Sequence, residues 1–285
     1  MKMQTAGMNR REALGALGAL ALASPSIFAA EPERKKAGIA LQLYTMREPA
    51  KKDLADTLQK CADMGWKYVQ WSGMPGLKAD QIRAALDKAG LKCISAHVGI
   101  ESFEKNFDEQ AAFWKAVGAT DVAPGGMMRD CTANLEAWLK GAKRLDELGA
   151  KLKAVGMRLS FHNHTMEFGK FPGDPRAKLD ILMESTKNVC SEIDVAWAAA
   201  GGADPAAYIR KFKNRCPLAH AKDVLIEGKK HTLKALGQGS LKWGDIFAAG
   251  REAGIEWYIY EQDNGEGTPF DFARASFEFL SKQAL

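Results

Sequence analysis

The residues best suited to chemistry in this sequence are histidines and carboxylates that stand at, or just after, the ends of short apolar runs. They are His97, His162, His164, Glu167, Asp194, His220 and Glu261. Carboxylate oxygens and imidazole nitrogens are the donors that hard and borderline divalent cations take in proteins. If the run ends meet in space, these residues predict a site for one divalent metal ion: Mn²⁺, Mg²⁺, Co²⁺ or Zn²⁺.

Three of these donors are better defined than the fourth. Asp194, His220 and Glu261 end three consecutive apolar runs. The run before them ends in His162, which has the alternation needed to face the same side. Glu167 lies in the loop that follows, but it carries the charge that a metal ion favours. The sequence leaves the fourth ligand open between His162 and Glu167.

The elements that would position these donors alternate regularly along the chain. Eight apolar runs predict strands at residues 38–44, 67–71, 92–97, 121–124, 157–162, 189–195, 218–222 and 257–261. Amphipathic segments between them predict helices at residues 53–64, 79–89, 109–117, 135–155, 205–212 and 243–253. Strict alternation implies parallel strands, and eight units imply a closed (β/α)₈ TIM barrel in one domain, residues 31–285. A barrel carries its active site at the carboxyl ends of its strands, where the candidate donors fall.

Composition and charge narrow the classes of function. The chain has 285 residues, a net charge of +5 and no concentrated basic stripe, which argues against a nucleic-acid partner. Its five cysteines include no C-x-x-C pair, so neither a zinc knuckle nor a dense disulfide framework is indicated. A small molecule is therefore the expected partner, and a homo-oligomer is compatible with the sequence.

The first 30 residues have the features of an export signal. Arg10 and Arg11 precede an apolar Ala/Leu/Gly run, and small residues follow up to Ala29 and Ala30. The adjacent arginines are similar to a twin-arginine signal, which predicts cleavage near residue 29 or 30 and a periplasmic mature protein. The apolar run is too short for a membrane-spanning helix, so no membrane insertion is expected after cleavage. A general secretory signal or an uncleaved anchor is the alternative.

From residue 38 to its end the chain resembles the xylose isomerase-like TIM-barrel superfamily, which includes sugar isomerases, epimerases, dehydratases and the endonuclease IV group. The motifs that carry the resemblance are Leu-Gln-Leu-Tyr-Thr at 41–45, Phe-His-Asn-His-Thr-Met-Glu-Phe at 161–168, Asp-Val-Ala-Trp at 194–197, His-Ala-Lys-Asp at 220–223 and Tyr-Glu-Gln-Asp at 260–263. The resemblance implies metal ligands at Asp194, His220 and Glu261. The chain departs from the pattern at His162, where a glutamate is usual, and at Gln70, where many relatives carry a glutamate that can act as an acid or base.

The resemblance also implies roles in sugar chemistry next to a carbonyl group. A metal ion would stabilise an enediolate as a Lewis acid, and a neighbouring base would remove the proton. His162 or His164 is expected to be the base, and Lys222 to stabilise oxyanion charge or to act as an acid. The residues expected to contact the sugar are Tyr44, Trp71, His97 and Trp197. The two tryptophans fit core packing equally well.

Four functions follow as alternatives. The first is isomerisation or epimerisation of a keto sugar. The second is β-elimination or hydrolysis on a 3-keto-glycoside or similar keto polyol, in the manner of a dehydratase. The scarcity of carboxylate acid/base pairs and the export signal favour this second function over the first. Endonuclease IV-type repair is disfavoured by the charge and the five histidines. A non-catalytic carbohydrate-binding barrel is the remaining alternative.

Overall fold

The computed structural model describes residues 36–265 and 267–285. The predicted export signal lies outside these residues. Among the helices of the described residues, none combines the length and the apolarity needed to cross a bilayer. All five cysteines are free.

Eight parallel strands close into a barrel in which each strand is hydrogen-bonded to two neighbours. The barrel strands are β1 (Gly38–Gln42), β2 (Tyr68–Trp71), β3 (Lys92–His97), β4 (Asp121–Ala123), β5 (Arg158–His162), β6 (Val189–Asp194), β7 (Leu218–Ala221) and β10 (Trp257–Tyr260). Their order around the barrel is β1-β10-β7-β6-β5-β4-β3-β2, so the first and last strands are joined. The (β/α)₈ barrel predicted from the sequence is confirmed, with each of the eight strands in the predicted place.

Helices follow the strands and cover the outside of the barrel. They are α1 (Arg47–Lys52), α2 (Leu54–Asp63), α3 (Ala79–Ala89), α4 (Ile100–Lys105), α5 (Phe107–Val117), α6 (Leu135–Ala154), α7 (Lys178–Glu184), α8 (Val195–Ala200), α9 (Pro205–Lys211), α10 (Trp243–Ala253) and α11 (Pro269–Leu280). The six helices predicted from periodicity are present. Gly90 and Gly118 end α3 and α5 in the left-handed conformation, with φ of 72° and 108°, which glycine adopts without a Cβ clash.

A two-stranded hairpin, which was not predicted from the sequence, follows β7 directly. It consists of β8 (Asp223–Glu227) and β9 (Lys230–Lys234), which pair antiparallel. The Asp223 carboxylate anchors the segment after the hairpin, because its Oδ2 accepts hydrogen bonds from the backbone N–H of Gly237 and Gly239 and from Nε1 of Trp243. The hairpin packs against α8 through a small apolar cluster of Val224, Leu233 and Ala196.

The inside of the barrel is layered because alternate residues of each strand point inward. A lower layer, toward the amino ends of the strands, contains Ala40, Ile94, Leu218 and Ile259. An upper layer, toward the carboxyl ends, contains Gln42, Gln70, His162, Glu192, Asp194, His220 and Glu261, all of them buried. The fold therefore brings the polar strand ends together above an apolar floor.

Candidate metal centre and active site

Four of the predicted donors converge at the carboxyl ends of β5, β6, β7 and β10. Ligand atoms of His162, Asp194, His220 and Glu261 all lie within 4.8 Å of one another, and the four side chains are buried. Nδ1 of His162 has no hydrogen-bond partner among the described residues, and Oδ2 of Asp194 has only the ion-pair contact of 3.3 Å with Nζ of Lys222. Buried polar atoms are costly unless they are bonded, so a further partner for Nδ1 of His162 would stabilise the site. Two imidazoles and two carboxylates in one buried cluster fit a divalent transition metal ion.

Glu167, the other candidate for the fourth ligand, lies outside this cluster. It belongs to a short 3-10 helix, Thr165–Phe168, and its Oε2 accepts a hydrogen bond of 2.8 Å from the backbone N–H of His164. Burial raises the pKa of Glu167 to about 7. The structure therefore places His162 beside Asp194, and assigns Glu167 to the cap of the loop that follows β5.

Asp194 is held by two backbone contacts as well as by its place on β6. Its Oδ1 accepts a hydrogen bond of 2.8 Å from the backbone N–H of Trp197 in the first turn of α8, so Asp194 caps this helix. The side-chain amide of Asn163 also bonds the backbone N–H and the carbonyl of Asp194, at 3.0 and 3.3 Å. These contacts leave Oδ2 of Asp194 facing the cluster.

Lys222 is a buried ammonium beside the same carboxylates. Its Nζ lies 2.9 Å from Oε2 of Glu261, 3.3 Å from Oδ2 of Asp194 and 2.5 Å from Oδ2 of Asp263. Burial alone would lower the pKa of Lys222, but these three carboxylates outweigh it and raise that pKa above its usual value. The ammonium also lies 4.8 Å from the centre of the Trp197 ring. Lys222 is therefore a fixed positive charge next to the cluster.

Glu192 is a functional candidate that sequence reasoning missed. It lies on β6 two residues before Asp194 and is fully buried. Its Oε1 lies 2.5 Å from Nε2 of His97 and 2.9 Å from Nε2 of His220, and its Oε2 accepts a bond of 2.9 Å from the amide of Gln70. The sequence carries one signal for Glu192: it lies two residues before Asp194 on the same strand, so the two side chains point to the same side. Its contacts could not be predicted, because the residues that contact Glu192 come from other strands.

Opposite charges set the protonation of the upper layer. Burial alone would lower the pKa of His220, but Glu192 and Glu261 outweigh it and raise that pKa to about 10. Burial alone would raise the pKa of Glu192, yet His220 and His97 hold it well below its usual value. Burial raises the pKa of Asp194 to about 6, against the opposing effect of Lys222. A metal ion that binds here therefore displaces protons from the site.

The two histidines of β5 and its loop differ from His220 because each lacks a strong carboxylate partner. Burial lowers the pKa of His162 well below its usual value, and His220 adds to this effect. Burial, followed by the positive charge of Lys222, also lowers the pKa of His164. His164 is half-buried, so its neutral imidazole is accessible from the mouth of the barrel.

The four residues predicted to contact a sugar do not all lie at this mouth. The His97 ring stacks on His220 with centroids 5.2 Å apart, and the half-buried Trp197 ring lies 6.1 Å from His164. Tyr44 is also half-buried, and the guanidinium of Arg47 covers its ring at 4.1 Å. Trp71 instead packs in the main hydrophobic core with 5% of its surface exposed. The structure thus brings His97 and Trp197 to the cluster and places Trp71 in the core.

The barrel and its polar strand ends can be compared with those of known protein families. The model of the xylose isomerase-like TIM barrel family matches residues 58–283. The chain therefore belongs to this family, and the resemblance predicted from the sequence is confirmed.

The individual relatives of this chain have low sequence identity to it. Inosose dehydratase of Lacticaseibacillus casei is 26% identical over 165 residues, covering 51% of this chain and 54% of the relative. Inosose dehydratase of Clostridium perfringens is 25% identical over 216 residues, covering 64% and 71%. The chain thus spans about half the length of the first of these relatives. The crystal structure of a sugar phosphate isomerase/epimerase from Parabacteroides distasonis has a TM-score of 0.72 at 24% identity, over 87% of this chain and 99% of that one. This likeness shows a shared fold.

Proposed function

We propose that this protein is a divalent-metal-dependent lyase that acts on a keto sugar or a keto polyol. In such an elimination, the C–H bond next to the carbonyl breaks and its electron pair forms a carbon–carbon double bond. The oxygen substituent on the neighbouring carbon then leaves and takes up a proton. The observation that carries the proposal is that the carboxylates of the site are each engaged by a cation or an imidazole.

This engagement disfavours a reaction with two carboxylate bases. Asp194, Glu261 and Asp263 contact the Lys222 ammonium, and Glu192 contacts imidazole nitrogens. Epimerisation by two carboxylates requires one free base on each face of the substrate. Among the described residues at the upper layer of the barrel, we find no carboxylate that meets this requirement. A reaction with a single imidazole base fits the site better.

His164 is the best placed of the imidazoles to act as that base. Its ring is half-buried at the barrel mouth, and its lowered pKa keeps it neutral and able to accept a proton at neutral pH. His162 is less suited to this role because it is 2% exposed and lies within the metal-binding cluster.

Lys222 and Trp197 would act on the charge and the position of the substrate. Negative charge develops on the carbonyl oxygen as the proton leaves, and a preorganised ammonium in a buried site stabilises such charge. The Trp197 ring beside Lys222 offers a flat apolar face for a sugar. Its Nε1 is buried and has no hydrogen-bond partner among the described residues.

The metal ion proposed for this site would be held by His162, Asp194, His220 and Glu261. When bound, it supplies Lewis acidity that polarises a carbonyl and acidifies the adjacent C–H. The relatives named inosose dehydratase support the proposal, because a dehydratase eliminates water.

The experiment that tests the proposal is NMR of the manganese-loaded protein with a panel of free and 3-keto sugars and keto polyols in D₂O. Elimination predicts loss of water or of an alcohol from one member of the panel and formation of an unsaturated ketone. The Glu261→Gln variant is expected to lose this activity. The His231→Gln variant is the matched control, because His231 is exposed on β9 and lies outside the cluster.

Other outcomes of the same experiment identify other functions. Deuterium incorporation with a change of configuration, and no leaving group, would instead establish the isomerase or epimerase activity expected from the sequence. Binding of a sugar without exchange would establish a carbohydrate-binding barrel.

We also propose that residues 1–30 direct export to the periplasm. Their arginine pair and apolar run support this proposal. Cell fractionation of the full chain, compared with an Arg10→Lys/Arg11→Lys variant, tests it. A twin-arginine signal predicts that the variant stays in the cytoplasm, whereas unchanged export would contradict that route.

A further inference from the structure

One fully buried carboxylate in the upper layer, Glu192, is surrounded by imidazoles. Its Oε1 lies 2.5, 2.9 and 3.6 Å from ring nitrogens of His97, His220 and His162. The two shorter distances are those of hydrogen bonds. Glu192 therefore belongs to a hydrogen-bonded group beneath the proposed metal ligands.

The amide of Gln70 completes this group, and its neighbours fix its orientation. The backbone N–H of Tyr44 bonds Oε1 of Gln42, so Nε2 of Gln42 faces Gln70 and donates to its Oε1 at 2.6 Å. At the other end, Nε2 of Gln70 donates to Glu192 at 2.9 Å. A donor at one end and a carboxylate at the other leave one way to place the amide oxygen and nitrogen.

This orientation determines which nitrogen of His220 carries a proton toward the barrel interior. Nε2 of His220 faces two acceptors, Oε1 of Gln70 at 2.7 Å and Oε1 of Glu192 at 2.9 Å. It must therefore be protonated. Nδ1 is the nitrogen that remains for a metal ion, and it faces Glu261 at 3.0 Å and Asp194 at 4.0 Å.

We infer that Glu192 and Gln70 act together as positioning residues, which hold His220 with Nε2 protonated and Nδ1 directed at the metal. This inference rests on the metal site of the proposed function. Metal-ligating histidines generally donate their second ring N–H to an oxygen acceptor, which fixes the ring and strengthens the ligand. Here the acceptors are a carboxylate and an amide that depend on each other.

Glu192 and Gln70 depend on each other because their side chains are hydrogen-bonded directly. A glutamate at position 70 would set two carboxylates against each other at the 2.9 Å contact that Gln70 now makes with Glu192. Two amides, in a Glu192→Gln variant, would leave the group without a negative charge to hold the imidazoles. One carboxylate and one amide are needed, and the exchange of their positions preserves this requirement.

The test is Mn²⁺ binding to the full-length protein, measured by calorimetry after removal of bound metal with a chelator. Glu192→Gln and Gln70→Glu are each expected to weaken Mn²⁺ binding by about 10- to 100-fold. The double variant Gln70→Glu/Glu192→Gln is expected to bind Mn²⁺ more tightly than either single variant. Asp121→Asn is the control, because Asp121 is equally buried but pairs with Arg158 at the opposite end of the barrel. It should lower the melting temperature and leave Mn²⁺ affinity unchanged.

Two results would overturn the inference: wild-type affinity in both single variants, or losses that simply add in the double variant. A readout without metal separates this inference from the proposed function. In the chelator-treated protein, the ¹⁵N NMR signal of Nε2 of His220 should shift in Glu192→Gln and in Gln70→Glu but not in Asp121→Asn, because only the first two change its hydrogen-bond acceptors. An unchanged signal in both variants would contradict the inference. If the wild type bound no Mn²⁺ while these shifts occurred, the proposed function would fail and the positioning of His220 would stand.

Discussion

The two layers inside the barrel are built on the same strands but have opposite chemistry. The lower layer consists of Ala40, Ile94, Leu218 and Ile259. Two residues further along three of these strands come Gln42, His220 and Glu261. The lower layer buries apolar surface and closes the barrel, which stabilises the fold. The upper layer buries charges and leaves Nδ1 of His162 without a hydrogen-bond partner among the described residues, which costs stability.

From this difference we expect the upper layer to serve a ligand and the lower layer to serve the fold. Substitutions in the upper layer should therefore remove function and spare or even raise stability. Substitutions in the lower layer should do the reverse. Four predictions test this division, beginning with the largest expected effect.

Replacement of Asp194 by Ala should abolish metal binding. Asp194 supplies a fully buried carboxylate whose Oδ2 faces the cluster, 3.3 Å from Nζ of Lys222. Its loss should exceed the about 10- to 100-fold loss of affinity that is typical of outer-shell partners. Elemental analysis after dialysis measures the effect. Retained metal would exclude Asp194 as a ligand.

The His164→Gln variant should keep its metal ion and lose activity. Removal of a general base typically lowers kcat by about 100- to 10,000-fold. The measurement is kcat on the substrate identified by NMR, together with metal content. The exposed His231→Gln variant should match the wild type in both, and a fully active His164→Gln protein would show that another group is the base.

The Glu167→Gln variant should stabilise the protein at pH 8. Burial raises the pKa of Glu167 from 4.5 to about 7, so the folded state holds a proton that the unfolded state releases. Stability is therefore lost as pH rises from about 4.5 to about 7, by up to about 3 kcal/mol. Thermal melts of both proteins at pH 4 and pH 8 measure this, and the gain should appear at pH 8. Loss of bound metal in this variant would instead support Glu167 as the fourth ligand.

The Ile259→Val variant in the lower layer should have the smallest effect. Removal of one buried methylene group costs about 0.5 to 1.5 kcal/mol. Metal affinity should not change, because Ile259 packs with Leu218 and Ala40 below the ligands. Chemical denaturation and Mn²⁺ titration measure the two quantities. A weaker metal site in this variant would show that the two layers are coupled.

The barrel was predictable because its strands are short apolar runs that end in polar residues, and this pattern is local in the sequence. The hairpin was not, since β8 begins at Asp223 with only Lys222 between it and β7, and the turn of the hairpin lies in the polar segment around Lys229 and Lys230. Its stability comes from contacts with α8 and from the Asp223 hydrogen bonds, which are formed by residues distant in the sequence.

Part of the candidate site was also predictable from the sequence, and part was not. Asp194, His220 and Glu261 were evident as strand ends, and the structure brings them together. The choice between His162 and Glu167 depended on the path of the loop after β5, which periodicity does not describe. Glu192 was missed because its role depends on Gln70 and on imidazoles that are 28 to 122 residues away.

The Asp223 carboxylate marks a place where this protein can be redesigned without disturbing the proposed metal ligands. It ties the segment after the hairpin to the end of β7 through three hydrogen bonds. The loop at the hairpin tip, from Glu227 to Lys230, lies outside these bonds and is exposed. The tip of the hairpin can therefore be lengthened, shortened or exchanged. The Asp223 hydrogen bonds are expected to keep His220 and Lys222 in place.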